Sequence, residues 1–249
     1  CIRDSVSSDP VTVVLSQRGW ARAAKGHDID PTTLNFRSGD SFLAAAIGRS
    51  NQSAVFLDSV GRAYSLPAHS LPSARSQGEP LAGHFNPADG ASFRAVLLGS
   101  SEDRWIVAST VGYGFVVRLE DLYSRNKAGK ASLRVPKGGD VVPARPVPEE
   151  GESVAAVSSD GRLLVFDLEE LPQMAKGKGN KIIGLPSGGK TFLAGVCVVE
   201  PGQGVRIRSA NRHMTIKPGD LEYYWGARGR RGTALPRGWR SIVSIEAAT

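Results

Sequence analysis

Five times along the chain a β-rich run, a tight turn and a second β-rich run follow one another: VTVVLS-QRG-WARAA, AVFLDS-VG-RAYSL, WIVAST-VGYG-FVVRL, VAAVSS-DG-RLLVF and VRIRSA-NR-HMTIK. Each reads as a β-hairpin. The turn positions are Gly19, Gly61, Gly112, Gly161 and Asn211, spaced 42, 51, 49 and 50 residues apart. All are residue types that tolerate positive φ. Ten residues beyond each turn position stands an aliphatic residue, Ile29, Leu71, Leu122, Leu171 or Leu221, which fixes the register of the repeat. Glycine-rich loops follow, then further β-branched runs such as FRAVLL, SLRV, KIIGL, VCVV and SIVSI. About four short strands per repeat, a period near 50 residues and five repeats are the signature of radial repetition, as in propellers. The expected fold is all-β, a five-bladed propeller-like disc over residues 10–249. Residues 1–9, beginning with Cys1 rather than Met, read as a linker from a missing N-terminal part. Helix is a weak alternative: only EDLY and LEELPQM hold helix formers, and the chain has 29 Gly and 15 Pro.

Charge is segregated along this repeat. The stretches 16–27, 125–137, 171–199 and 223–245 hold 17 of the 31 Lys and Arg residues and none of the 24 acidic ones. The remainder carries 14 basic against 24 acidic residues, so the net +7 understates the local positive charge. The glycine-rich basic loops SARSQGEP, RNKAGKA, AKGKGNK and ARGRRG recur at one place in the repeat. In a radial fold equivalent positions share a rim. Arg75, Arg125, Lys127, Lys130, Lys176, Lys178, Lys181, Arg228, Arg230 and Arg231 would then form an arc of cations, joined by Arg237 and, in the first blade, by Arg18, Arg22 and Lys25. Such an arc follows a curved polyanion, with glycine letting the backbone approach phosphates. Duplex is favoured over single strands, whose binders interleave stacking aromatics with cations, while aromatics here are 7%. Tyr223, Tyr224 and Trp225 beside the last arginine cluster are the exception, and core packing explains them equally well.

Other motifs carry less. Gly184–Thr191 fits the phosphate-loop pattern G-x-x-x-x-G-K-[ST], but a phosphate loop needs a following helix and here FLAGVCVV follows, a strand. Nucleotide binding is therefore not expected. His27, Asp28 and Asp30 lie together, but the other histidines have no ligand spacing, so a solvated turn is expected and no metal. No nucleophile elbow or nucleophile–base constellation occurs, and no catalytic residue is assigned. Two cysteines, Cys1 and Cys197, give neither a disulfide framework nor a thiolate metal site, which suits a reducing compartment. No apolar run approaches the roughly 20 residues that span a bilayer, so no membrane partner is expected.

KGHDID at Lys25–Asp30, LPSAR at Leu71–Arg75 with QGEPL at Gln77–Leu81, AKGKGNKII at Ala175–Ile183 and RGRRGT at Arg228–Thr233 resemble stretches of a known family. From residue 10 to 246 the chain is similar to the C-terminal domain of the A subunit of bacterial topoisomerase IV, the type IIA relative of DNA gyrase. The resemblance implies a β-pinwheel, whose blades exchange strands, that binds and bends duplex DNA and presents the transported segment to a catalytic core. The partners it implies are the ATPase subunit together with the rest of the A subunit. It further implies a cytoplasmic, nucleoid-associated setting, with decatenation and relaxation as the parent activity. ATP, Mg²⁺ and the DNA-cleaving tyrosine would then lie outside this chain, which needs no cofactor of its own. Gyrase carries Q-R-R-G-G-K-G in its first blade. Here the corresponding window is Thr32-Thr33-Leu34-Asn35-Phe36-Arg37-Ser38, with one cation and no glycine. That weak loop shifts the expectation from wrapping to moderate bending, because the elastic cost rises as the square of the angle and 180° would exceed roughly 10 kcal/mol. The reading from another class is a propeller-like scaffold whose basic loops hold acidic protein partners.

Overall fold

A computed structural model describes residues 6–249. Cys1 and the first five residues of the expected linker lie outside the described residues. In chain order the strands are β1 Pro10–Ser16, β2 Trp20–Lys25, β3 Phe42–Arg49, β4 Ser53–Asp58, β5 Arg62–Pro67, β6 Glu79–Pro80, β7 Phe93–Leu97, β8 Arg104–Ala108, β9 Tyr113–Arg118 and β10 Lys130–Ala131. They continue with β11 Arg145–Val147, β12 Ser153–Ser158, β13 Arg162–Asp167, β14 Asn180–Lys181, β15 Leu193–Val199, β16 Gly204–Ser209, β17 His213–Ile216, β18 Thr233–Ala234 and β19 Ile242–Ala248. All five expected hairpins form, and the fold is all-β, a five-bladed β-pinwheel.

The sheet orders are β3-β1-β2-β6, β10-β5-β4-β7, β11-β8-β9-β14, β15-β12-β13-β18 and β17-β16-β19. In the first four blades the fourth strand, β6, β10, β14 or β18, has only two residues and comes from the segment that leaves the next hairpin. These crossing segments account for SLRV and KIIGL: the runs supply buried anchors, Leu133, Ile182 and Ile183, beside two-residue strands rather than full strands of their own. β3, FLAAAIGR, carries no strong β signal because three of its eight residues are alanine, yet it pairs along the whole of β1.

Four of the five hairpins turn at glycines with positive φ, Gly19 (78°), Gly61 (84°), Gly112 (90°) and Gly161 (86°). Asn211 does not: among the described residues the one non-glycine with positive φ is Ser241, so the fifth turn is built differently from the expectation. Ser209 N–H bonds to Arg212 C=O at 2.9 Å, closing a tighter loop than Ser109 N–H to Tyr113 C=O at 2.8 Å. A 3-10 turn follows each hairpin, and it buries four of the five register residues, Leu71, Leu122, Leu171 and Leu221, whereas Ile29 is only half-buried.

The chain divides into two compact units, residues 1–103 with 118–132, and residues 104–117 with 133–249. The core of the first includes an aromatic cluster, with Tyr64 edge-on to Phe93 (centroids 5.3 Å) and 5.1 Å from Phe85. The Tyr64 hydroxyl donates to the fully buried Asp58 carboxylate at 2.7 Å, and desolvation first, then Asp58, raises the phenol pKa. The Asp58 carboxylate also accepts the backbone N–H groups of Val60 and Arg62, both at 3.0 Å, so the buried charge closes its own turn. In the second unit Ile106, Val116, Val154, Phe166, Ile182 and Val196 form one cluster, and Val157, Leu163, Val205, Ile207, Leu221 and Ile245 belong to another. Cys197 lies in the second cluster, and burial pushes its thiol pKa up to about 12. Among the described residues no helix is long and apolar enough to cross a membrane.

Candidate nucleic-acid interface

The glycine-rich basic loops are the crossing segments, and their glycines serve the protein backbone. Gly179, at φ 78°, precedes β14, and a Cβ there would lie 2.1 Å from the carbonyl oxygen of Gly114. Gly78, Gly129 and Gly232 stand just before β6, β10 and β18, all at positive φ, against Ala21, Tyr64 with Ala63, and Leu163. Strand exchange thus requires a residue with no side chain at this point. The expectation that these glycines bring the backbone near phosphate is corrected here: the close approach is to the neighbouring strand.

The first residue of each receiving strand grips the incoming segment. Arg62 Nε and Nη2 donate to the carbonyls of Ala128 and Gly129, both at 2.8 Å. Arg162 Nη1 donates to Gly232 C=O at 3.0 Å. Tyr113 instead offers its ring face to Lys178 Nζ, 3.9 Å from the centroid. Sequence reasoning passed over Arg62 and Arg162, although an Arg directly after the turn glycine in two hairpins was a readable signal.

In the first unit, Arg18, Lys25, Arg75, Arg125 and Lys127 are exposed, and their side chains make no hydrogen bond or ion pair among the described residues. Lys130 is exposed, but its Nζ donates to Asp121 C=O at 2.7 Å. Arg22 departs from the expectation. It is 2% exposed, its guanidinium lies 4.8 Å from the Phe36 ring centroid, and Nη1 donates to Ser76 C=O at 2.7 Å. Desolvation lowers its pKa, and it holds the first crossing segment instead of facing solvent. Arg37 stacks over Trp20 at 4.2 Å.

In the second unit two crossing segments interlock. Gly184 N–H donates to Arg230 C=O (2.7 Å), Gly229 N–H to Ile182 C=O (2.9 Å) and Arg228 Nη1 to Lys181 C=O (2.7 Å). Lys176, Lys181 and Arg230 point outward without side-chain partners among the described residues, and Lys178 stacks as above. Arg228 and Arg231 are half-buried, and Arg231 is paired with Asp160. Burial acts to raise the Asp160 pKa, but hydrogen bonds from Ser158 (2.6 Å) and Arg231 outweigh it and hold the carboxyl below its ordinary value. Arg237 is exposed on the loop before β19, as is Arg240. Tyr224 is buried while Tyr223 is 71% and Trp225 46% exposed, so packing accounts for the first of this trio alone.

The motifs set aside have local uses. His27 Nε2 lies 2.8 Å from Gly48 C=O, and the Asp30 carboxylate accepts Thr32 N–H at 3.0 Å, capping the 3-10 turn Pro31–Thr33. The phosphate-loop look-alike Gly184–Thr191 runs directly into β15, a strand.

Residues 103–148 and 152–197 match the family model described as the DNA gyrase C-terminal domain, beta-propeller. Over 243 residues the chain is 53% identical to the A subunit of DNA topoisomerase 4 of Pseudomonas aeruginosa, covering 96% of the chain and 32% of that protein. Over 247 residues it is 44% identical to the same subunit of Escherichia coli K12, covering 98% and 33%. The chain therefore spans about a third of the length of these relatives. Among solved structures it superposes on the E. coli ParC C-terminal domain with TM-score 0.80 at 44% identity, covering 97% of this chain and all of that one. A gyrase A C-terminal domain, with TM-score 0.74 and 15% identity over 97% of this chain and 83% of that one, shares the fold. Strand exchange in four blades, with the basic motifs riding on the exchanged segments, extends over the same length as this likeness, and the chain belongs to the family of C-terminal domains of topoisomerase IV A subunits.

Proposed function

We propose that this domain binds duplex DNA without reading its sequence and bends it moderately, as the C-terminal part of a topoisomerase IV A subunit. Cations on a rigid backbone with free heads suit phosphates, which repeat along any duplex whatever its sequence. The observation that carries the reading is the interlock of residues 181–184 with 228–230. Its three hydrogen bonds of 2.7–2.9 Å fix the backbone and leave the heads of Lys181 and Arg230 to solvent. Arg125 and Lys127 repeat the arrangement on the segment held by Arg62. In the whole enzyme the domain would present a curved or crossing segment to its partners, the ATPase subunit together with the rest of the A subunit. ATP, Mg²⁺ and strand cleavage would be handled there, in the bacterial cytoplasm at the nucleoid, for decatenation and relaxation.

The test is affinity for linear and supercoiled duplex as a function of salt. Neutralising about 8 phosphates gives a log–log slope near −7, and a flat response would overturn the proposal. Bend angle is read on the same DNA: tight one-turn wrapping of relaxed linear duplex would overturn the bending part alone. Charge reversal at Lys176, Lys178, Lys181 and Arg230 should abolish binding with the fold intact. Unchanged DNA binding would instead favour an acidic protein as the partner of these loops.

A further inference from the structure

Four blades have four strands and the fifth has three: among the described residues, β17 pairs with β16 and with nothing on its outer side. The four filled positions follow one rule. A glycine at positive φ is followed by two residues that pair with the receiving strand, and the N–H of the third bonds to the hairpin-turn carbonyl. Those bonds are Leu81 N–H to Gly19 C=O (2.9 Å), Ser132 to Gly61 (3.2 Å), Ile182 to Gly112 (2.7 Å) and Leu235 to Gly161 (2.9 Å). An aliphatic side chain at the third or fourth position, Leu81, Leu133, Ile182 or Leu235, is buried.

Blade five presents the same receiver without the segment. The pairing Arg208↔His213 matches Leu57↔Ala63 and Leu15↔Ala21, so His213 stands where Ala63 and Ala21 accept their two-residue partners. Asn211, Arg212, His213 and Thr215 are exposed. Met214 and Trp239, half-buried against the adjoining core cluster, offer apolar surface. An open strand edge of this kind templates pairing with another extended chain.

The segment leaving β2 is the one excursion that fills no sheet, and it lacks the required residue. Gly78 and Gly129 stand seven residues beyond Leu71 and Leu122, but seven beyond Ile29 stands Phe36, packed on the buried Arg22 of its own blade. A second copy of this chain would have the same four segments already spent and the same defective fifth.

We propose that the outer edge of β17 is a docking site for an extended segment of a different protein, of pattern Gly-x-x-aliphatic, which adds the missing fourth strand. The probe is a synthetic peptide, SARSQGEPLAG, which copies residues 73–83, carries no formal net side-chain charge and so separates strand addition from the basic character of the domain. Titrated into the 249-residue chain, it should shift backbone amide resonances confined to residues 211–217, with a dissociation constant of about 0.1–1 mM. Val in place of its central glycine should weaken binding about tenfold, because a β-branched residue resists positive φ. Absence of shifts at 211–217 with about 5 mM peptide would overturn the proposal. So would equal binding of the Val peptide, or concentration-dependent shifts at 211–217 in the chain alone, which would make a second copy the occupant. The outcome is independent of DNA binding.

Discussion

The excursion that leaves β2 and the one that leaves β13 start alike, each with a 3-10 turn, Pro31–Thr33 in one and Leu168–Glu170 in the other. They end differently. The second carries Gly179 against the Gly114 carbonyl, pairs as β14 with β9 and sets Lys176, Lys178 and Lys181 on the surface. The first carries Phe36 and Arg37 at the corresponding place, and these turn back on Arg22 and Trp20 of their own blade. One residue type therefore separates a segment that completes a neighbouring sheet from one that does not, and the exposed cations accompany the first kind. Glycine and lysine in AKGKGNK do separate jobs: glycine makes the crossing possible, and lysine uses the surface the crossing creates.

The largest expected effect breaks the second excursion. Gly179→Val places a Cβ 2.1 Å from a carbonyl oxygen at φ 78°, a position with no slack in the receiving backbone. It should cost at least about 3 kcal/mol in chemical denaturation. The matching substitution in the first excursion is Gly26→Ala, where φ is 86° but no atom lies within 4 Å of the new Cβ. That variant should lose about 1–2 kcal/mol, the left-handed conformational penalty alone. Equal losses would mean that strand exchange places no demand on residue 179.

On the functional side the comparison predicts unequal DNA affinities. Lys176, Lys178 and Lys181 changed together to Gln should reduce the log–log salt slope by about 2–3 and affinity by roughly ten- to a hundredfold. Changing Arg18 and Lys25 should reduce the slope by no more than about 1–2. A larger loss from the first-blade pair would reverse the ranking of the two regions and assign the leading contact to blade one. Tyr64→Phe is the control within the aromatic core: it removes one donor from the buried Asp58 carboxylate and should cost about 1–3 kcal/mol with DNA affinity unchanged.

The repeat was legible because hairpins announce themselves locally, by β-branched runs around a glycine and by the leucine ten residues on. The exchange of strands was not legible from periodicity: β6, β10, β14 and β18 are two residues long, and their pairing is decided by a backbone contact tens of residues away, as between Gly179 and Gly114. That feature entered through the family resemblance. Burial of individual cations was likewise invisible. Arg18 and Arg22 lie four residues apart with similar neighbours, yet the alternation of β2 sends Arg22 inward beneath the first crossing segment, while Arg18 sits on the turn. Asn211 was read as a left-handed turn residue from its type, and the shorter Ser209–Arg212 loop removes the need for that conformation.

The smallest effect concerns the ion pair that ties Arg231, on the last crossing segment, to Asp160 in the turn of its receiving hairpin. Both side chains are about a third exposed, at 33% and 37%, so solvent screening limits the pair and Arg231→Gln should cost no more than about 1 kcal/mol at neutral pH. The sign of its pH dependence follows from the carboxyl, which Ser158 and Arg231 hold below its ordinary value against the upward push of burial. The folded state therefore binds this proton less readily than the unfolded chain, so the contribution is complete above the ordinary Asp range near 4 and shrinks as pH falls through the lower folded value. The stability difference between Arg231→Gln and the parent chain should be constant from pH 7 to about 5 and fade below it. A difference that persists undiminished at about pH 2 would show that Arg231 holds the crossing segment through packing rather than through the charge of Asp160.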